Sequence, residues 1–194
     1  MNNQGLNRNM FQPIEISDAT TIDEICRFRA QVWMATAGTA ADAFPHGRWR
    51  DADDDNARHW ICRSAEGKLL AAARLAVLDR LSDIIESHEY HRYCLEVDGR
   101  VAAPDRVVVS TTAQGCGLAG LLLDEQHRAA LESGAVCAAR QASPRMVQLL
   151  IRRGWQVLGA ASIDRRFPTT TFSVAVYVFD ASRVSYVTQD NKAA

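Results

Sequence analysis

Apolar and polar positions alternate along this chain in short blocks whose period switches between two and 3.6 residues. The clearest strand is 171–179, where Phe172, Val174, Val176 and Val178 recur at every second position. Near the start, 13–17 reads as a short strand. A helix follows over 22–37, with Ile22, Ile25, Phe28, Arg29, Val32 and Trp33 on one face and Asp18 or Thr20 to cap it. Two apolar runs, 58–63 and 68–75, are split by Ala65-Glu-Gly67, a hairpin signal. Segment 79–93 has helical character through Leu81, Ile84 and Ile85. A strand is predicted at 106–111 and a helix at 117–133, buried through Leu118, Leu121, Leu122, Ala129 and Leu131 and stopped by Gly134. Residues 135–139 form a short, wholly apolar strand of the kind covered on both faces. Ser143 and Pro144 open another helix, which Gly154 ends, and 155–158 supplies a further strand.

Composition narrows what such a chain does. At 194 residues it makes one domain, expected over 13–187, between a polar, disordered lead-in (1–12) and a frayed tail (188–194). A net charge of −1 argues against a general binder of nucleic acid or of membrane surfaces. No apolar run approaches the roughly 20 residues of a spanning helix, and the Asn-rich start has no apolar signal region, so a cytoplasmic location is expected. The five cysteines are scattered without C-x-x-C spacing and read as reduced thiols. His88 and His91 lack a third ligand, so no metal is expected.

The stretch from Val107 to Leu123 carries the chemistry. A β-run enters a turn containing Gly115 and Gly117, and a helix leaves it. Glycine allows a sharp bend and close approach to a bulky anion, and the helix start offers free N–H groups with a positive dipole end. This is a diphosphate cradle. Gly115-x-Gly117-x-x-Gly120 is a literal dinucleotide fingerprint, and Arg140 stands where a 2′-phosphate partner would. Against an NADP-dependent reductase, the first glycine comes several residues after the strand. The fingerprint also lies past mid-chain, and too little follows to complete a doubly wound sheet.

Read instead as Gln114-x-x-Gly117-x-Ala119, the turn resembles the Arg/Gln-x-x-Gly-x-Gly/Ala pyrophosphate loop of the GNAT acyltransferase superfamily. Ser143-Pro-Arg-Met-Val-Gln-Leu-Leu-Ile-Arg-Arg-Gly-Trp155 resembles that superfamily's second motif. The resemblance spans about 14–180. It implies an α+β, three-layer α/β/α fold around a mixed, mostly antiparallel sheet. The implied enzyme is an N-acyltransferase moving acetyl from acetyl-CoA to the amine of a small-molecule or amino-acid-like acceptor. By motif position, the backbone of Val107, Val108 and Val109 pairs with pantetheine where the central strand splays from its neighbour. The N–H groups of Gln114, Gly115, Cys116, Gly117, Leu118 and Ala119 hold the diphosphate, and Ser143 belongs with these cofactor residues.

A thioester is already activated, so the protein must orient it, stabilise the oxyanion and let the ammonium lose its proton. Asp105 is the first candidate base, with Glu96 behind it. Ser110, Thr111 and Thr112 offer hydroxyls to substrate or water. The motif tyrosine that protonates the departing thiolate is replaced by Leu150. That leaves another acid, an unassisted thiolate, or a non-catalytic acyl-CoA-binding module. A narrower resemblance joins Ala73-Arg-Leu75 and Arg106-Val-Val-Val109 to acyl-homoserine-lactone and N-acyl amino-acid synthases. Their catalytic glutamate would fall at Ala103, which argues against lactone synthesis. A longer-chain acyl-CoA or an acyl-carrier-protein donor stays as the alternative, although no basic patch for an acidic carrier protein stands out. The aromatic and acidic segment 44–55 reads either as a wall of the acceptor pocket, with Asp53 to Asp55 attracting an amine, or as a solvated surface turn, the expected case. The final β-strand is free to pair across a two-fold axis in a homodimer.

Overall fold

The computed structural model describes residues 11–187. The lead-in expected over 1–12, except Phe11 and Gln12, and the tail over 188–194 lie outside the described residues. Seven strands form one sheet in the order β1-β2-β3-β5-β6-β8-β7, antiparallel throughout except for β5 beside β6. They are β1 (Ile14–Ile16), β2 (Arg58–Arg63), β3 (Leu69–Leu78), β5 (Val101–Val109), β6 (Cys137–Ala142), β7 (Gln156–Ala160) and β8 (Ser173–Val178). A two-residue ladder joins β4 (Glu96–Val97) to β9 (Val184–Ser185). Helices α1 (Ala19–Met34) and α2 (His88–His91) lie on one face, with α3 (Leu118–Glu132) and α4 (Pro144–Ile151) on the other. The expected three-layer arrangement is therefore present.

Local chemistry sets the ends of the elements. Asp18 caps α1, its carboxylate accepting from the Thr21 N–H at 2.8 Å. The helix buries Ile22, Ile25 and Arg29 from the expected face together with Cys26 and Ala30, while Phe28, Val32 and Trp33 are only partly covered. α3 lays Leu118, Leu122, Ala129 and Ala130 against Trp60, Ala73 and Leu75 of the sheet. The α4 residue Leu150 is fully buried in that same cluster.

Several expectations change. The central strand begins at Val101, five residues earlier than its apolar run, because Pro104 and two alanines disguise it. A proline is tolerated there because the ladder to β6 has already ended at Ala102, so its missing N–H breaks no bond on that side. Segment 79–93 is not a continuous helix. It consists of a turn at Leu81–Asp83 and the one-turn α2, separated by Glu86 in a left-handed conformation (φ 64°). The late strand β8 is flanked by β6 and β7, so the outer edge on that side of the sheet belongs to β7.

Candidate active site

The site forms where the middle of β5 loses its regularity. β5 pairs with β6 only at Val101–Cys137 and Ala102–Ala138, and beyond these the strands diverge. On its other side, Val108 faces Ala72 and Asp105 faces Arg74, so three steps along β5 match two along β3. The extra residue is a bulge, and Arg106 within it takes a left-handed φ of 55°. One consequence is that Asp105 and Arg106, consecutive in sequence, turn to the same face. Asp105 meets Arg74, and the Arg106 guanidinium sits 4.0 Å from the Trp49 ring centroid. The other face is braced by Gln126 of α3. Its Nε2 donates to the carbonyls of Arg74 (2.5 Å) and Asp105 (3.0 Å), tying α3 to both strands beside the bulge.

The gap opens into a cavity of about 120 Å³ whose lining includes Trp49, Asp53, Tyr90, Ala103, Arg106 and Arg140. Its outer wall is the segment expected to be a solvated turn. Phe44 and Trp49 are buried and stack at 5.0 Å, within an aromatic cluster shared with Trp33 and Phe167. Asp54 is completely buried. The segment is a folded wall because Arg29 and Arg74 wait behind it for carboxylates. Arg29 Nη1 donates to Asp54 at 2.5 Å, and its Nη2 lies 3.2 Å from His59 Nδ1. Burial lowers the His59 pKa, favouring a neutral ring whose Nε2 meets the Asp54 carbonyl at 2.9 Å.

Arg74 is the hub. Its Nε and Nη2 hold both oxygens of Asp105 at 2.9 and 2.8 Å, its Nη1 contacts Asp51 and lies 3.3 Å from Asp54, and Asp53 stands off at 3.8 Å. Arg106 donates to the second oxygen of Asp51 at 2.5 Å. Three arginines (29, 74, 106) thus face four aspartates (51, 53, 54, 105), one carboxylate in excess.

Those carboxylates are unequal. Burial alone would raise the Asp105 pKa, but the Arg74 and Arg106 guanidiniums outweigh it and hold it down to about 2. Asp105 is therefore half of a bidentate ion pair that holds it ionised, which suits it less to the expected role of base than a carboxylate without such a partner. Asp53 moves the other way. Burial raises its pKa and the more distant Arg74 only partly offsets this, leaving the one cavity carboxylate without a tight partner. Glu96 is exposed on the β4–β9 ladder and is not a cavity residue. Ala103, where the synthases' glutamate would fall, does line the cavity, so Asp53 brings a carboxylate into the same space from the facing loop.

The remaining predicted residues divide into two groups. Val107 and Ser143 line the cavity, Ser143 as the N-cap residue of α4 without a side-chain capping bond. Val108 packs towards α1 and Val109 towards the α3 face. Ser110 lies beyond the cavity. Its N–H donates to the Leu70 carbonyl at 2.8 Å and its hydroxyl sits 3.2 Å from that of Thr112, so it shapes the turn and does not reach the splay. In the turn, Gly115 and Gly117 adopt φ of 86° and 83°, which favour glycine. Gly117 caps α3, leaving the first N–H groups of the helix, from Leu118 onward, without internal partners. The N–H groups of Gln114, Gly115 and Gly117 also make no hydrogen bond among the described residues. That of Cys116 donates weakly, at 3.4 Å, to the Ala113 carbonyl. Arg145 of α4 reaches over to the Gln114 side chain at 2.7 Å, placing a cation beside the turn.

Comparison with known proteins bears on the fold. No family model and no curated protein matches the sequence. Solved structures do match. One is the CoA-dependent acyl-homoserine lactone synthase BjaI, solved with MTA (TM-score 0.64, 12% identity, 89% of this chain and 85% of that one). Another is TofI, solved in a ternary complex with an inhibitor and MTA (0.61, 18%, 89% and 94%). A third is arylalkylamine N-acetyltransferase 2 from Aedes aegypti (0.62, 13%, 87% and 99%). At these identities the likeness speaks for architecture, and the chain has the fold shared by GNAT N-acetyltransferases and acyl-homoserine-lactone synthases.

Proposed function

We propose that this protein is an acyl-CoA-dependent N-acyltransferase, moving acetyl from acetyl-CoA to the amine of a small, amino-acid-like acceptor. The observation that carries this is the splay of β5 from β6, placed between a free-amide turn on one side and a carboxylate-bearing cavity on the other. A pantetheine arm fits the unpaired edge of β5, with its diphosphate on the N–H groups of Gln114, Gly115, Gly117, Leu118 and Ala119. Val107 and Ser143 then flank the thioester end. The acceptor enters the cavity as an ammonium drawn by Asp53. Its raised pKa suits Asp53 to take a proton, directly or through water, whereas Asp105 keeps Arg74 in place. Loss of the proton frees the lone pair to attack the thioester carbonyl, and collapse of the tetrahedral adduct expels the thiolate. Leu150, buried in the core, supplies no acid. Coenzyme A thiolate is a good enough leaving group to depart before protonation by solvent.

The test is release of free thiol from acetyl-CoA across an amine and amino-acid panel, run beside acyl-CoAs of longer chain. Acceptor-dependent thiol release is the expected result. Acyl-CoA binding without release for any acceptor would leave a binding module in its place. Tight binding of a nicotinamide dinucleotide in preference to coenzyme A would overturn the reading of the turn.

A further inference from the structure

Buried N–H donors without an acceptor are uncommon in folded proteins, since each forfeits its bond to water. Three of them belong to residues lining this one cavity: Trp49 Nε1, Arg106 Nε and Arg140 Nη1. Trp49 and Arg106 lie against each other, and Arg106 already has Asp51. Arg140 is different. It projects from β6 where that strand has left β5, is 95% buried (5% exposed), and has no carboxylate within ion-pairing distance among the described residues. Its one hydrogen bond, to the carbonyl of its neighbour Gln141, is long at 3.5 Å. Burial lowers its pKa to about 10, so it remains a cation at neutral pH in an unsolvated place. Nearby, Tyr90 is 3% exposed, lines the same cavity, and its hydroxyl makes no hydrogen bond among the described residues. A guanidinium and a hydroxyl that both lack acceptors are the donor set of a carboxylate clamp.

The pairing of charges points the same way. The cavity's aspartate side has one carboxylate in excess, Asp53, and its β6 side has one guanidinium in excess, Arg140. Arg166, the other cavity arginine, holds two carboxylates, Asp164 and Glu86, so it is the absence of a close partner and not the net charge that sets Asp53 and Arg140 apart. A ligand carrying an ammonium and a carboxylate would satisfy both.

We infer that Arg140, assisted by Tyr90, binds a substrate carboxylate and so restricts this site to carboxylate-bearing substrates, foremost acceptors of the α-amino-acid class. This deepens the acyltransferase reading and rests on it for the identity of the reaction, while the anion site itself can be tested by binding alone.

The experiment compares wild type, Arg140→Met and Tyr90→Phe. Binding of α-amino acids and their matching amides is followed by calorimetry and thermal shift, and thiol release from acetyl-CoA is measured on the same panel. A second arm offers simple amines with succinyl-CoA against acetyl-CoA, which places the carboxylate on the donor if that is its source. Wild type should prefer the carboxylate member of a pair by at least about tenfold. Arg140→Met should abolish the preference, and Tyr90→Phe should reduce it. Because Arg140 has no ion-pair partner among the described residues and only one long hydrogen bond to lose, Arg140→Met should also melt no lower than wild type, which keeps misfolding from imitating the result. Equal binding of carboxylates and amides in both arms, or a preference that survives Arg140→Met, overturns the inference. Carboxylate-selective binding without thiol release would uphold the anion site and overturn the acyltransferase reading instead.

Discussion

The turn at Gln114–Ala119 and the wall at 44–55 flank the splayed part of β5 but are built on opposite principles. The turn works through its backbone. Two glycines at positive φ and a helix start present N–H groups, and almost no side chain matters beyond staying out of the way. The wall works through side chains that arrive from far apart in sequence: Arg29 from α1, Arg74 from β3, Asp105 and Arg106 from β5, and Asp51 to Asp54 from the loop itself. A backbone cradle recognises a phosphate and is indifferent to whatever is attached to it. A side-chain network can be retuned one residue at a time. The difference teaches where selectivity would reside under the proposed function: the donor's carrier would be read by conformation, and the acceptor by charge.

Asp53→Asn presses hardest on the wall. Turnover is expected to fall by about 10²–10⁴ in kcat, the usual cost of losing a general base, with coenzyme A affinity unchanged. The sign of the pKa shift makes a second, separable prediction. A carboxyl raised in the fold contributes stability below its ordinary range, and that contribution is lost as pH rises and the group ionises. At pH 7 the substitution should therefore leave the melting temperature equal or higher. The acid limb of the wild-type pH–rate profile should sit above the usual aspartate range and disappear in the variant. Undiminished kcat would return the search for a base to the other cavity carboxylates.

Gly117→Val presses on the turn. A β-branched residue at φ 83° is strained, and the Leu118 and Ala119 N–H groups would no longer converge on one anion. Coenzyme A affinity should fall by about 100-fold, equivalent to roughly 2.7 kcal/mol of charge-assisted hydrogen bonding, while a minimal amine acceptor binds as before. Calorimetry with coenzyme A on the folded variant decides it. Affinity within a factor of about three of wild type would mean that the turn does not hold the diphosphate.

What could be read from the chain follows the same division. The turn was legible because its function needs glycine at fixed spacing beside a strand and a helix, and spacing is what a sequence displays. Most of the sheet was legible through its alternation. Asp53 was visible only as one acid in a run of acids. Nothing local reveals that Arg74 and Arg29 lie behind that run and draw it inward, and no pattern separates an aspartate held by a guanidinium from one left loose. The ion pair of Asp105 was hidden for the same reason, since the bulge that aims it at Arg74 depends on β3 pairing with three residues where two are normal. Arg140 was noticed only as a phosphate partner in the competing dinucleotide reading. That no carboxylate among the described residues lies within ion-pairing distance of it is a fact of three dimensions. The start of β5 was hidden by Pro104, which is acceptable only because β6 diverges there.

The smallest effect expected is also the one that best separates the two readings of the turn. Gly117 serves both an acyl-CoA loop and a dinucleotide fingerprint, whereas Gly120 is the third glycine of the fingerprint alone. In a dinucleotide site that glycine is there for close helix–strand packing. Here it lies in the first turn of α3 and faces α4's end. A Cβ would come within 2.9 Å of Arg153 Nη2, the mobile tip of a side chain that also bonds Asp124 at 2.9 Å and the Gly120 carbonyl at 3.3 Å. That tip can move aside at the cost of its weaker bond, and alanine favours the helix by about 1 kcal/mol over glycine. Gly120→Ala should thus melt no lower than wild type and bind coenzyme A within about threefold of it, a difference under 1 kcal/mol. A loss beyond about tenfold would show that α3 must approach its ligand more closely than an acyl-CoA loop requires, and the distinction between backbone cradle and side-chain wall would need redrawing around a dinucleotide.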